Sequence, residues 1–74
     1  MLIVPCQSIH TFFMAFPIDV AFLDASWRVI HIIHAMPTWR ASRHFFKARA
    51  VLEVPADTLA ATGTQVGDLL DFEW

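Results

Sequence analysis

Cys6 and His10 stand four residues apart, and on an extended strand an even separation places both side chains on one face. A thiol beside an imidazole makes half of a zinc site, or a nucleophile with its base. A structural zinc site, however, needs four ligands, no Cys-x-x-Cys motif is present, and a lone cysteine commonly packs as a small hydrophobe. Cys6 and His10 are therefore weak catalytic candidates, and no metal is expected. His31 and His34 share a side of a helix but take opposite sides of a strand. Their surroundings read as strand, so no joint site forms from them.

Asp19 and Asp24 offer a pair of carboxylates, but five strand residues span about 16–17 Å, against roughly 5–9.5 Å for paired catalytic carboxylates. Asp24 reads as a turn residue. Asp19 is the one polar residue in an apolar run. A carboxylate there must find donors, either as backbone amides or as part of a pocket with His10.

The third constellation is Trp39 to Arg49, where Arg40, Arg43, Lys47 and Arg49 alternate with Trp39, His44, Phe45 and Phe46. Interleaved cations and rings can track phosphates and stack bases. The net charge is nonetheless −2 and no nucleic-acid motif is present, so this basic segment is expected to face an acidic body or an anionic ligand. Nucleic acid is not the expected partner. With two glycines there is no phosphate loop or dinucleotide fingerprint, and no cofactor is expected.

The elements that must position these groups are mostly strands. Met1–Val4 is β-prone and closed by Pro5, and Ile9–Met14 forms a second extended stretch. Ile18–Asp24 and Trp27–Ile33, separated by Ala25-Ser26, read as a hairpin. Ile18, Val20 and Phe22 share one face, and Ile30 and Ile32 share a face on the return. Apolar residues on both sides mark central or interface strands. Ala35–Ser42 reads as a loop. Phe45–Val54 reads as a half-buried strand with Phe46, Ala48, Ala50, Leu52 and Val54 on the inner side, ending at Pro55. Pro55–Thr62 supports a short helix stopped by Gly63. Gly67-Asp68 turns the chain into a last strand, Leu69–Phe72.

At 74 residues the chain holds one core, so residues 1–74 are read as a single domain. Hydrophobic residues reach 57% and charged residues only 16%, which excludes intrinsic disorder. So small a domain cannot hide all 7 Phe and 3 Trp, and a second copy is the simplest cover for the remainder. Pro5, Gln7, Ser8, His10, Thr11 and Pro17 break the uncharged N-terminal stretch, so it is too interrupted to span a membrane. The reading is a cytoplasmic protein with its single Cys6 unpaired.

Pro5-Cys6-Gln7-Ser8-Ile9-His10-Thr11-Phe12-Phe13-Met14, then Pro17-Ile18-Asp19-Val20 and Phe22-Leu23-Asp24, are followed by Val51-Leu52-Glu53-Val54-Pro55-Ala56, Gly63 and Gly67-Asp68. In this order the motifs resemble the bacterial and archaeal family called domain of unknown function 192. The resemblance implies a compact, barrel-like, mainly β domain with a small helix. It also implies a further N-terminal strand in other members, so this chain is similar to their larger C-terminal part. A sheet edge lacking its neighbour would favour pairing with another subunit. The family tends to carry glycine in the turn after Asp24, where this chain has Ser26-Trp27, and again at Asp57. The resemblance supplies no reaction.

The expected fold is α+β and mainly β: a small, partly open, barrel-like sheet of four to six strands with one short helix. The expected function is a small binding module acting as a homo-oligomer. His10, Thr11, Met14 and Asp19 would line its pocket, and Arg40 and Arg43 would draw an anionic ligand or peptide. The alternatives are a hydrolase-like or metal-assisted enzyme using Cys6 and His10, and a structural interaction protein; a binding role is preferred over catalysis.

Overall fold

The computed structural model describes residues 2–9, 16–42 and 44–70. Four strands, β1 (Leu2–Ile3), β2 (Ile18–Leu23), β3 (Val29–Met36) and β4 (Ala50–Pro55), precede one short helix, α1 (Thr58–Ala61). All strand pairs are antiparallel, in the order β1-β4-β2-β3, and the sheet does not close. The fold is thus α+β and mainly β, as expected. No helix among the described residues is long and apolar enough to cross a membrane.

Every residue of β2 is buried, because both faces of the sheet are covered. Ile18, Val20 and Phe22 join Met36, Ala48 and Val51 on one face; Ala21 and Leu23 join Val29, Ala50 and Leu59 on the other. This is the behaviour of a central strand whose β-branched and aromatic residues are apolar at successive positions.

Two register shifts bend β3 against β2. Near Ile30, Leu23 pairs with Val29 while Phe22 pairs with His31, so one residue is extra, as in a β-bulge. Ile30 consequently packs with the first face and Ile32 with the second, which corrects the period-two pairing expected of them. The second shift lies opposite Asp19, between Ile33 and Met36, where Ala35 is left-handed at φ 49°. This bulge carries the strand through Ala35 and Met36, which sequence reading placed in a loop.

The β2–β3 hairpin closes through Asp24. Its backbone N–H donates to the Arg28 carbonyl at 3.0 Å, its carbonyl accepts from Trp27, and its Oδ1 accepts from Ser26 and Arg28 N–H groups at 2.8 and 3.0 Å. A three-residue loop whose last residue is left-handed is a standard hairpin solution, and glycine usually fills that place. Here Trp27 holds it, at φ 65°.

The expected strand Phe45–Val54 begins only at Ala50. Ala48 N–H donates to the Phe45 carbonyl, a turn that lifts Phe46 to 82% exposure while Ala48 is fully buried; the expected shared inner face of Phe46 and Ala48 is therefore broken. After β4, α1 ends as the sequence predicts. Gly63 N–H bonds the Ala60 carbonyl and Thr64 N–H the Leu59 carbonyl, a Schellman pair that requires the left-handed φ of 71° at Gly63. Leu69 makes an isolated bridge with Arg28, beside Val29 N–H bonded to Asp68. The expected strands over Ile9–Met14 and Leu69–Phe72 lie largely outside the described residues.

Candidate ligand-binding cleft

The chain from Pro5 to Ile9 is laced to residues 42–49. Cys6 N–H donates to the Arg49 carbonyl at 3.0 Å, Phe45 N–H to the Gln7 carbonyl at 2.8 Å, and Ser42 N–H to the Ile9 carbonyl at 2.7 Å. Ile9 N–H returns a bond to Ser42 Oγ, and Gln7 Nε2 donates to the Phe46 carbonyl at 2.9 Å. With its nitrogen so used, Gln7 presents Oε1 to His44 Nε2 at 3.0 Å, and that ring nitrogen donates to it.

Two clefts flank His44. The first, about 300 Å³, is lined by Pro5, Cys6, Gln7, His44, Ala48 and Arg49. The second, about 330 Å³, is lined by Ile30, His44, Phe45, Phe46 and Lys47. His44 meets Phe46 edge-on with ring centres 4.9 Å apart. Phe45 stacks on His31 at 4.6 Å and leans on Phe22 at 4.4 Å, so an aromatic column runs from the core to the second cleft. Neither lining includes a carboxylate, whereas Arg49 and Lys47 are both exposed.

Cys6 lines the first cleft, but its thiol donates to the Ser8 carbonyl at 2.9 Å and His44 Nε2 is bonded to Gln7. The thiol proton is thus given to a backbone carbonyl, an arrangement unlike a nucleophile bonded to its base. Among the described residues, no group of three or more His, Cys, Asp or Glu side chains could hold a metal ion.

Asp19 lies elsewhere. It is fully buried; Oδ1 accepts from Ala35 N–H at 2.8 Å and Oδ2 from Leu59 N–H at 3.0 Å. Burial pushes its pKa up, but the amides of Ala35, Leu59 and Asp57, helped by the His34 imidazole, outweigh that and hold the carboxyl below its usual range. Leu59 belongs to the second hydrophobic face and Cys6 packs against the first, so the sheet does not bring Asp19 and Cys6 together. Of the other residues expected to bind ligand, Arg40 is exposed and lines neither cleft. His10, Thr11, Met14 and Arg43 lie outside the described residues. His31 and His34 are placed as expected of a strand, the first against Phe45 and the second near Asp19. The basic-aromatic alternation signalled Lys47 and Arg49; nothing local signalled Gln7 as the partner of His44.

The chain matches the DUF192 family, described as an uncharacterized ACR, over residues 1–72. It belongs to that family. A UPF0127 protein of Thermococcus sibiricus is 38% identical over 66 residues, covering 89% of this chain and 42% of that protein. A UPF0127 protein of Pyrococcus horikoshii is 38% identical over 61 residues, covering 82% and 52%. A crystal structure of a protein of unknown function from Novosphingobium aromaticivorans superposes with a TM-score of 0.85 at 20% identity. That likeness covers 97% of this chain and 56% of the other, and it supports the fold. The DUF192 chain thus spans about half the length of the relatives it matches.

Proposed function

We propose that this DUF192 chain is a small binding module for a ligand bearing an anionic group, held in the clefts on either side of His44. The observation that carries the reading is the lining: Arg49 in one cleft, Lys47 in the other, a shared imidazole held by Gln7, and no carboxylate in either. Cations gathered on a concave rim without a carboxylate favour anions at the site even when the whole chain is acidic. The cleft volumes fall at the low end of the ~300–1,000 Å³ usual for small-molecule sites.

Isothermal calorimetry with inorganic phosphate, against chloride at matched ionic strength, tests this. The reading requires saturable phosphate binding that Arg49→Gln and Lys47→Gln each weaken. Binding that neither variant changes, or none at all, overturns it.

Self-association belongs to the same proposal. Phe16, Trp39, Val66 and Leu69 are each 56–61% exposed, and apolar surface of this kind is most simply covered by a second copy. Native mass spectrometry should give a dimer or higher assembly; a monomer at micromolar concentration contradicts it.

A further inference from the structure

We infer that the ligand is a mononucleotide, its base against Phe46 and its phosphate between Lys47 and Arg49. This inference rests on the anion-binding reading and narrows it.

Phe46 is the starting point. It is 82% exposed, more than any other exposed large hydrophobic residue described, on a turn built by the Ala48-to-Phe45 hydrogen bond. The core beneath does not need it, because Ala48 fills the inward position. Its backbone is nonetheless fixed, since Gln7 Nε2 donates to its carbonyl, and its ring is braced edge-on by His44. An exposed ring on an anchored backbone is a stacking platform, with a π-face available to a planar ligand.

Charge completes the argument. Lys47 follows Phe46 directly and lines the same cleft, while Arg49 lines the neighbouring one across His44. A ligand reaching from the Phe46 cleft into the Arg49 cleft would carry a flat apolar part joined through a spacer to an anion that Arg49 and Lys47 can share. Base, ribose and phosphate have this order. The guanidinium suits phosphate geometry and the ammonium serves as a point charge. An anion without a ring would leave the aromatic cleft unused, and a nucleoside would leave both cations without a partner from the ligand.

The intact chain would be titrated by calorimetry with adenosine 5′-monophosphate, adenosine and inorganic phosphate. The monophosphate should bind at least about tenfold more tightly than either fragment. Phe46→Ala, an exposed position whose loss leaves the core intact, should weaken the monophosphate by about fivefold or more and by a clearly larger factor than it weakens phosphate. Equal affinities for monophosphate and phosphate, or an unaffected Phe46→Ala, overturn the mononucleotide while phosphate binding sensitive to Arg49→Gln keeps the anion site. Failure of phosphate as well removes both. An oligoadenylate that binds more tightly per nucleotide than the monophosphate also overturns the inference, assigning the clefts to a strand.

Discussion

The Asp19 carboxylate accepts the backbone N–H of Leu59 at 3.0 Å across 40 residues of chain. Leu59 is the second residue of α1, whose cap position, Asp57, makes no side-chain hydrogen bond of its own. Asp19 therefore does from a central strand what a neighbouring cap residue ordinarily does. Its other oxygen takes the Ala35 N–H at the β3 bulge. One buried carboxylate thus ties together two places where the backbone is left-handed, Ala35 and Asp57.

Replacing that carboxylate should be costly. Asp19→Asn keeps one acceptor but turns an amide NH2 toward a backbone N–H, and the loss should be about 2–3 kcal/mol at pH 7. Urea denaturation measures it, with a lowered midpoint and an unchanged slope.

The pH dependence follows in sign. The folded Asp19 pKa lies below its ordinary value, so its contribution to stability is present above an unfolded pKa of about 3.9 and is lost as pH falls through the folded value. Asp24 is also lowered, chiefly by the Arg28 amide, and it is present in both proteins. The stability gap between wild type and Asp19→Asn should therefore narrow below about pH 4. A constant gap from pH 6 to pH 2 would contradict the assignment.

At Asp57 the side chain makes no cap hydrogen bond and φ is 71°. Asp57→Gly should raise stability by about 0.5–1 kcal/mol, whereas Asp57→Ala should lower it by about 1 kcal/mol. Trp27, at φ 65°, also packs on the second face, so glycine there loses contacts as well. Trp27→Gly should still exceed Trp27→Ala by about 1 kcal/mol, as thermal melts would show.

Phe22 couples core and site. It is fully buried and its ring lies 4.4 Å from Phe45, which lines the second cleft. Phe22→Ala should cost about 3–5 kcal/mol and weaken ligand binding in the fraction that remains folded. Unchanged affinity in that variant would separate the aromatic column from the cleft.

What the sequence made legible was what local chemistry determines. An apolar run broken only by Asp19 located β2 as a central strand, Gly63 marked the helix stop, and aspartate at position 57 tolerates its left-handed backbone better than most residues. Trp27 holds the same backbone region at greater steric cost. The bulges at Ile30 and Ala35 were not legible, because an extra residue changes faces without changing composition. The cleft was legible only in part: Lys47 and Arg49 stood out as cations, but His44 meets Gln7 across 37 residues, and the lift of Phe46 depends on a turn that interrupts an otherwise regular alternation.

An anion held on either side of His44 must perturb the amides around it, which makes amide chemical-shift mapping during an inorganic phosphate titration the decisive measurement. Binding there gives saturable shifts concentrated at Cys6, Gln7 and residues 44–49, lost in Arg49→Gln. Shifts spread evenly over exposed lysine and arginine residues, or centred away from those segments, would contradict it.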